Sequence, residues 1–187
     1  MYENKSSNIY IQQLHSWGFS CLTLSYYLSG LVLKLVPFTG VDRRGFARYS
    51  DDIFASTSID RNGAALLISH IVPVLSGKDL EKAVQVVIPC RSDKAVSFEY
   101  RPDEERQMSA YLSVSDREKT IPFKFTSNRQ TVYEDGKQVT KVEHIDLPIF
   151  LQVLEGYSPS NGNNTLCDPK TDTGKTASLL YDPKLNI

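Results

Sequence analysis

Rings and cations alternate in two stretches of this chain. Phe38, Arg43, Arg44, Phe46, Arg48 and Tyr49 form the first, and Tyr100, Arg101, Arg106, Tyr111, Phe123, Lys124 and Arg129 form the second. Cations neutralise phosphates and flat rings stack on unpaired bases, at about 1–3 kcal/mol per base, so these residue types together suit the binding of a single-stranded nucleic acid. Lys34, Arg43, Arg44, Arg48, Arg101, Lys124 and Arg129 are the candidate phosphate contacts, and Phe38, Tyr49 and Tyr111 the candidate stacking platforms. Tyr100 and Phe123 fit a core better than a platform. A competing reading is simpler, since any antiparallel sheet with one wet face carries Tyr and Arg there.

Bond-making chemistry finds less support. "TDTGKTAS" ends like a phosphate-binding loop, but Pro169 stands where the first glycine belongs and no strand precedes it. "RPDEERQMSAYLSVSDREK" approaches the ligand pattern of metal-dependent nucleases, yet Arg117 occupies the acidic position before Lys119, which leaves Asp103, Glu104 and Glu105 as a solvated turn. There is no Gly-x-Ser-x-Gly elbow, no His-Glu-x-x-His and no dinucleotide loop. His15, His70 and His144 lack zinc-ligand spacing, and His70 beside Ile71 reads as a structural histidine. The expectation is a protein that is not an enzyme and uses neither cofactor nor metal.

The elements that would hold these residues follow from periodicity. The most apolar stretch, residues 17–38, has nearly the length of a membrane span, but Ser20, Thr23, Ser25, Ser29, Gly30, Lys34 and Pro37 interrupt it. Its alternation fits two strands about a turn at Ser29-Gly30. Glu3 and Lys5 in the first residues do not make a secretory signal. Strands are expected from Phe46 to Tyr49 and over 53–59, then a helix capped by Asp60, ended by Gly77 and kinked or divided by Pro73. The order recurs with strands at 83–90, 95–101, 106–114 and 119–125. An Asp135-Gly136 hairpin within 131–143 follows, and a helix capped by Asp146 with Pro148 in its first turn runs up to Gly156. "VPVLSG" and "LQVLEG" close the two halves.

The expected class is therefore α+β, a duplicated ββββα module with two antiparallel sheets and a helix packed after each. The modules are 17–77 and 82–157 in one domain over 17–157, with residues 1–16 an N-terminal extension and 158–187 a flexible tail in which "SLLY" could dock. A net charge of −1 over 187 residues supplies no global pull toward polyanions, so binding needs a local patch. Cys21, Cys90 and Cys167, odd in number and widely spaced, suit free thiols in a reducing, cytoplasmic compartment.

This element order, with the paired Val-Leu-x-Gly helix ends, resembles the Whirly family and the related positive-cofactor-four fold, over about residues 17–157. The chain lacks the Lys-Gly-Lys-Ala segment of plant members, adds the hairpin at 131–143, and is more similar to phage-encoded or bacterial members. The resemblance implies sequence-tolerant binding of single-stranded DNA or RNA, in replication, recombination or transcription, by a homo-oligomer, commonly a tetramer, with no membrane involved. The alternative is a self-assembly module whose strand edges and rings serve only contacts between subunits.

Overall fold

The computed structural model of the chain describes residues 9–27, 30–77 and 82–157. The first half contains β1 (Ile9–Ser16), β2 (Ser20–Tyr27), β3 (Gly30–Val41), β4 (Ala47–Tyr49), β5 (Ala55–Ile59) and α1 (Arg61–Leu75). The second contains β6 (Val84–Cys90), β7 (Lys94–Pro102), β8 (Met108–Asp116), β9 (Lys119–Lys124), β10 (Ser127–Glu134), β11 (Lys137–His144) and α2 (Asp146–Tyr157). The class is α+β, built from antiparallel pairs and two helices.

In the first sheet β1, β2 and β3 lie in sequence, and both β4 and β5 pair with the far side of β3. The second sheet runs β6-β7-β8-β9, and β10-β11 form a separate two-stranded ribbon. The stretch that could have been a membrane helix is instead β2 and most of β3, in register from Ser20 with Pro37 to Tyr27 with Gly30. Ser29 of its expected turn lies outside the described residues. Among those residues no helix is long and apolar enough to cross a membrane.

Alternation fixes which side of each sheet is buried. Leu22, Leu24, Leu31, Leu33, Leu35 and Ile59 face Val96, Phe98, Tyr100, Leu112, Val114 and Phe123 in one continuous core. Tyr100 and Phe123 are thus core rings, as their positions suggested. Two seryl hydroxyls tie the sheets together: Ser16 Oγ donates to the Lys124 carbonyl at 2.6 Å and Ser20 Oγ to that of Pro122 at 2.7 Å. The helices pack on each other beside the sheets, with Leu67, Ile71 and Val74 of α1 and Leu147, Phe150 and Leu154 of α2 turned inward.

Several local details differ from the periodic expectation. Residues 9–16, assigned to an extension, pair with β2 as an edge strand. Pro73 does not divide α1; it sits in the last turn, two residues before the final helical residue, Leu75. Asp60 caps that helix as expected, accepting from Gly63 N at 2.8 Å, and Gly77 follows its end at φ +70°. Asp146 is the first residue of α2, and its carboxylate accepts from Thr126 N at 3.1 Å, pinning the helix to the end of β9. α2 continues through Gly156 because Tyr157 is buried against Tyr26, with ring centroids 5.5 Å apart. The tail 158–187, Cys167 and "SLLY" included, lies outside the described residues.

Candidate nucleic-acid interface

The candidate residues fall into two groups, one on each sheet. On the outer face of the first sheet, Lys34, Val36 and Phe38 follow one another along β3 at a spacing of two. Phe38 is paired with Tyr49 of β4, and their rings meet edge-on at 6.1 Å. His15 of β1 adds its ring to Tyr49, with Nδ1 3.2 Å from the phenol oxygen. Burial raises the Tyr49 phenol above its ordinary pKa, with Cys21 a further cause, so Tyr49 remains neutral. Lys34 is exposed and places its ammonium 4.5 Å over the Phe54 ring. Arg43 and Arg44 occupy the exposed β3–β4 turn, and Arg48 is exposed on β4.

That turn is shaped by Asp42. Its carboxylate accepts from Arg44 N at 2.8 Å and Phe46 N at 2.9 Å, while Gly45 supplies the residue at positive φ, +82°. The backbone hydrogen bond from Phe46 holds the Asp42 carboxyl below its ordinary pKa against the opposing effect of burial, with Arg44 N and the charge of Arg48 assisting. With Asp42 engaged by backbone amides, the guanidinium groups of Arg43, Arg44 and Arg48 make no ion pair among the described residues.

The second group lies in an open groove of about 770 Å³ at the end of the second sheet, where the β1–β2 turn, the β7–β8 turn and the start of β10 meet. Here the structure corrects one expectation. Tyr111 is only 6% exposed, so its ring is no platform. β8 does turn it outward, but the Arg101 guanidinium lies 4.2 Å over the ring, Lys124 approaches at 5.9 Å and Phe19 packs edge-on at 6.1 Å. The long side chains of the flanking strands cover what alternation exposes.

The groove cations are engaged as well. Arg101 Nε donates to Glu99 at 2.6 Å, Lys124 Nζ to Asp103 at 2.9 Å, and Arg129 Nη2 to the Met108 carbonyl. Burial acts to raise the Asp103 carboxyl, but hydrogen bonds from Lys124, Gln107 N and Ser109 outweigh it and bring the pKa down to about 2. For Lys124 burial disfavours the charge, and the bond to Asp103 prevails to raise its pKa. These paired charges fasten β9 to the β7–β8 turn.

Trp17 belonged to no candidate set, yet it joins the two groups. It is 65% exposed, packs on Phe38 at 5.6 Å and also lines the groove, while Phe19, two residues on, reaches Tyr111. One band therefore runs from Lys34 and Phe54 past Phe38, Tyr49 and His15 to Trp17 and into the groove. Phe46, at 66% exposure, is the most open ring of the basic turn. The signal available in the sequence was "SWGFS", a glycine turn with two flanking rings, which an extension ending at residue 16 split from its strand.

No protein-family model, no curated protein and no solved structure matches the chain.

Proposed function

We propose that this chain is a sequence-tolerant binding protein for single-stranded DNA or RNA. It acts without an enzymatic step, as a cytoplasmic homo-oligomer, in replication, recombination or transcription. The observation that carries the reading is the band of rings from Phe54 past Phe38 and Tyr49 to the exposed Trp17, with Lys34 over Phe54. The adjoining β3–β4 turn and β4 add the exposed ring of Phe46 and the exposed cations Arg43, Arg44 and Arg48, which make no ion pair among the described residues. Rings that accept any base and cations that follow any phosphate track are what tolerant strand binding requires. A sheet of antiparallel strands followed by a helix, twice in succession, supports the likeness to the Whirly arrangement, with β4 and the β10-β11 ribbon as additions. Fold alone would not carry a function, which rests on the site.

Fluorescence anisotropy with a labelled oligothymidine at low and moderate salt tests the proposal. Each phosphate neutralised on a single strand contributes about −0.7 to the slope of log K against log salt, so contacts from Lys34, Arg43, Arg44 and Arg48 predict a slope of about −3. Absence of binding to DNA and RNA oligomers at low salt would overturn it.

A further inference from the structure

The two ends of the band differ in charge pairing although the turns beside them share one backbone design. In the β7–β8 turn Asp103 N donates to the Gln107 carbonyl at 2.8 Å and Arg106 N to the Asp103 carbonyl at 3.0 Å. In the β3–β4 turn Asp42 N donates to the Phe46 carbonyl at 2.8 Å and Gly45 N to the Asp42 carbonyl at 3.0 Å. Each aspartate carboxylate also accepts from the backbone two and four residues on, Asp103 from Glu105 and Gln107, Asp42 from Arg44 and Phe46. Between these fixed points one turn presents Arg43, Arg44 and Gly45, and the other Glu104, Glu105 and Arg106, so that the first is basic and the second acidic.

Glu104 and Glu105 line the groove and make no ion pair among the described residues, whereas its cations Arg101 and Lys124 are already held by Glu99 and Asp103, and Arg129 donates to the Met108 carbonyl. A phosphate entering there would meet two carboxylates without ion pairs of their own, and cations that already hold other partners. Close like charges oppose such an approach. A neutral ring faces neither cost. It finds the open indole of Trp17, and the side-chain amides of Gln107 and Asn128 stand in the same lining with no hydrogen bond of their own among the described residues. The groove volume of about 770 Å³ is within the range of small-molecule sites.

We infer that the groove is a subsite for an uncharged nucleobase stacked on Trp17, closed to phosphates by the acidic β7–β8 turn, while the strand's phosphates follow Lys34, Arg43, Arg44 and Arg48 on the first sheet. This rests on the single-strand reading and assigns its rings and charges to different places.

Trp17 is the chain's single tryptophan, so its fluorescence reports on the groove directly. Oligothymidine should quench it, and an oligomer of the same length made of abasic residues should bind through its phosphates without quenching. Trp17→Ala should weaken oligothymidine binding about tenfold, the loss of one stacked base, and leave the salt slope unchanged. Arg43→Ala with Arg44→Ala and Arg48→Ala should lower the slope by about 2. Glu104→Gln with Glu105→Gln should tighten binding of the abasic oligomer several-fold by opening the groove to phosphate. If neither oligomer binds, the single-strand reading itself fails. If oligothymidine binds but both oligomers leave Trp17 emission unchanged, or Trp17→Ala lowers the slope as the arginine variant does, the base subsite is overturned while the single-strand reading stands.

Discussion

At the scale of single residues, exposure in this protein depends on what the neighbouring strands carry. Tyr111 and Trp17 make the contrast: the tyrosine faces outward yet lies beneath Arg101, while the tryptophan stands open on a turn. His144 is the residue with the clearest solution consequence. Among the described residues neither ring nitrogen has a hydrogen-bond partner and the nearby Tyr100 hydroxyl has none either, and the two rings meet edge-on at 6.3 Å. Burial, and secondarily Arg129, pull the imidazole below its ordinary pKa. Because the unfolded chain takes up this proton near pH 6.5 and the folded chain resists it, the unfolded state binds more protons just below that pH. Stability is therefore complete above about pH 6.5 and declines as the pH falls toward the lower folded value. His144→Phe should remove this part of the decline and, by deleting buried polar atoms without partners, stabilise by about 1 kcal/mol. Urea unfolding of both proteins at pH 7.5 and 5.5 measures it, and an equal decline in the variant would refute the assignment.

At the scale of elements, the two aspartate turns form a natural comparison because the same position has positive φ in each: Gly45 at +82° and Arg106 at +60°. Glycine enters this region freely, whereas a side chain there is strained. Arg106→Gly should therefore stabilise by about 1 kcal/mol and Gly45→Ala should cost about the same, both read from thermal unfolding; a destabilised Arg106→Gly protein would mean that the arginine side chain outweighs its backbone strain. These turns also show what was legible in the sequence. Residues 95–101 were expected as a strand and β7 is Lys94–Pro102, because its apolar and polar residues alternate without interruption between turn residues. β1 was not legible because its pairing shifts between Tyr10 and Gln12, so Ile11 and Leu14 both reach the core despite their odd spacing. The same limit hid the true state of the site. The basic turn could be read locally, but the covering of Tyr111 depends on Arg101 and Lys124 arriving from two other strands, which only register decides.

At the scale of the whole molecule, the sheets cover the inner face of the helical layer, and the outer face of α1 is uncharged, with Leu66 and Val72 exposed among Asn62 and Ser69. After Arg61, α1 carries no Lys, Arg, Asp or Glu, and Leu66 and Val72 are each 42% exposed. On α2, Ile149 and Val153 are partly buried against the core, and Gln152 and Glu155 are exposed. A solvated helix face normally carries charges, and an uncharged one with exposed apolar side chains favours association. This is the surface on which the proposed homo-oligomer would close, and it lies on the helices, apart from the band on the sheets. Leu66→Lys combined with Val72→Glu should therefore convert the oligomer to monomers of unchanged circular dichroism. Because neither side chain is buried in the core, the loss of monomer stability should stay within about 0.5 kcal/mol. Light scattering after size exclusion gives the mass, and oligothymidine titration of the same samples gives the affinity. Monomers should bind a short oligomer as the parent does and a long one more weakly, since linked sites act on one strand at high effective concentration. A parent protein that is already monomeric would exclude closure through the helices, and an unchanged mass in the variant would move the subunit contact elsewhere, the strand edges of the self-assembly alternative being the next place to test.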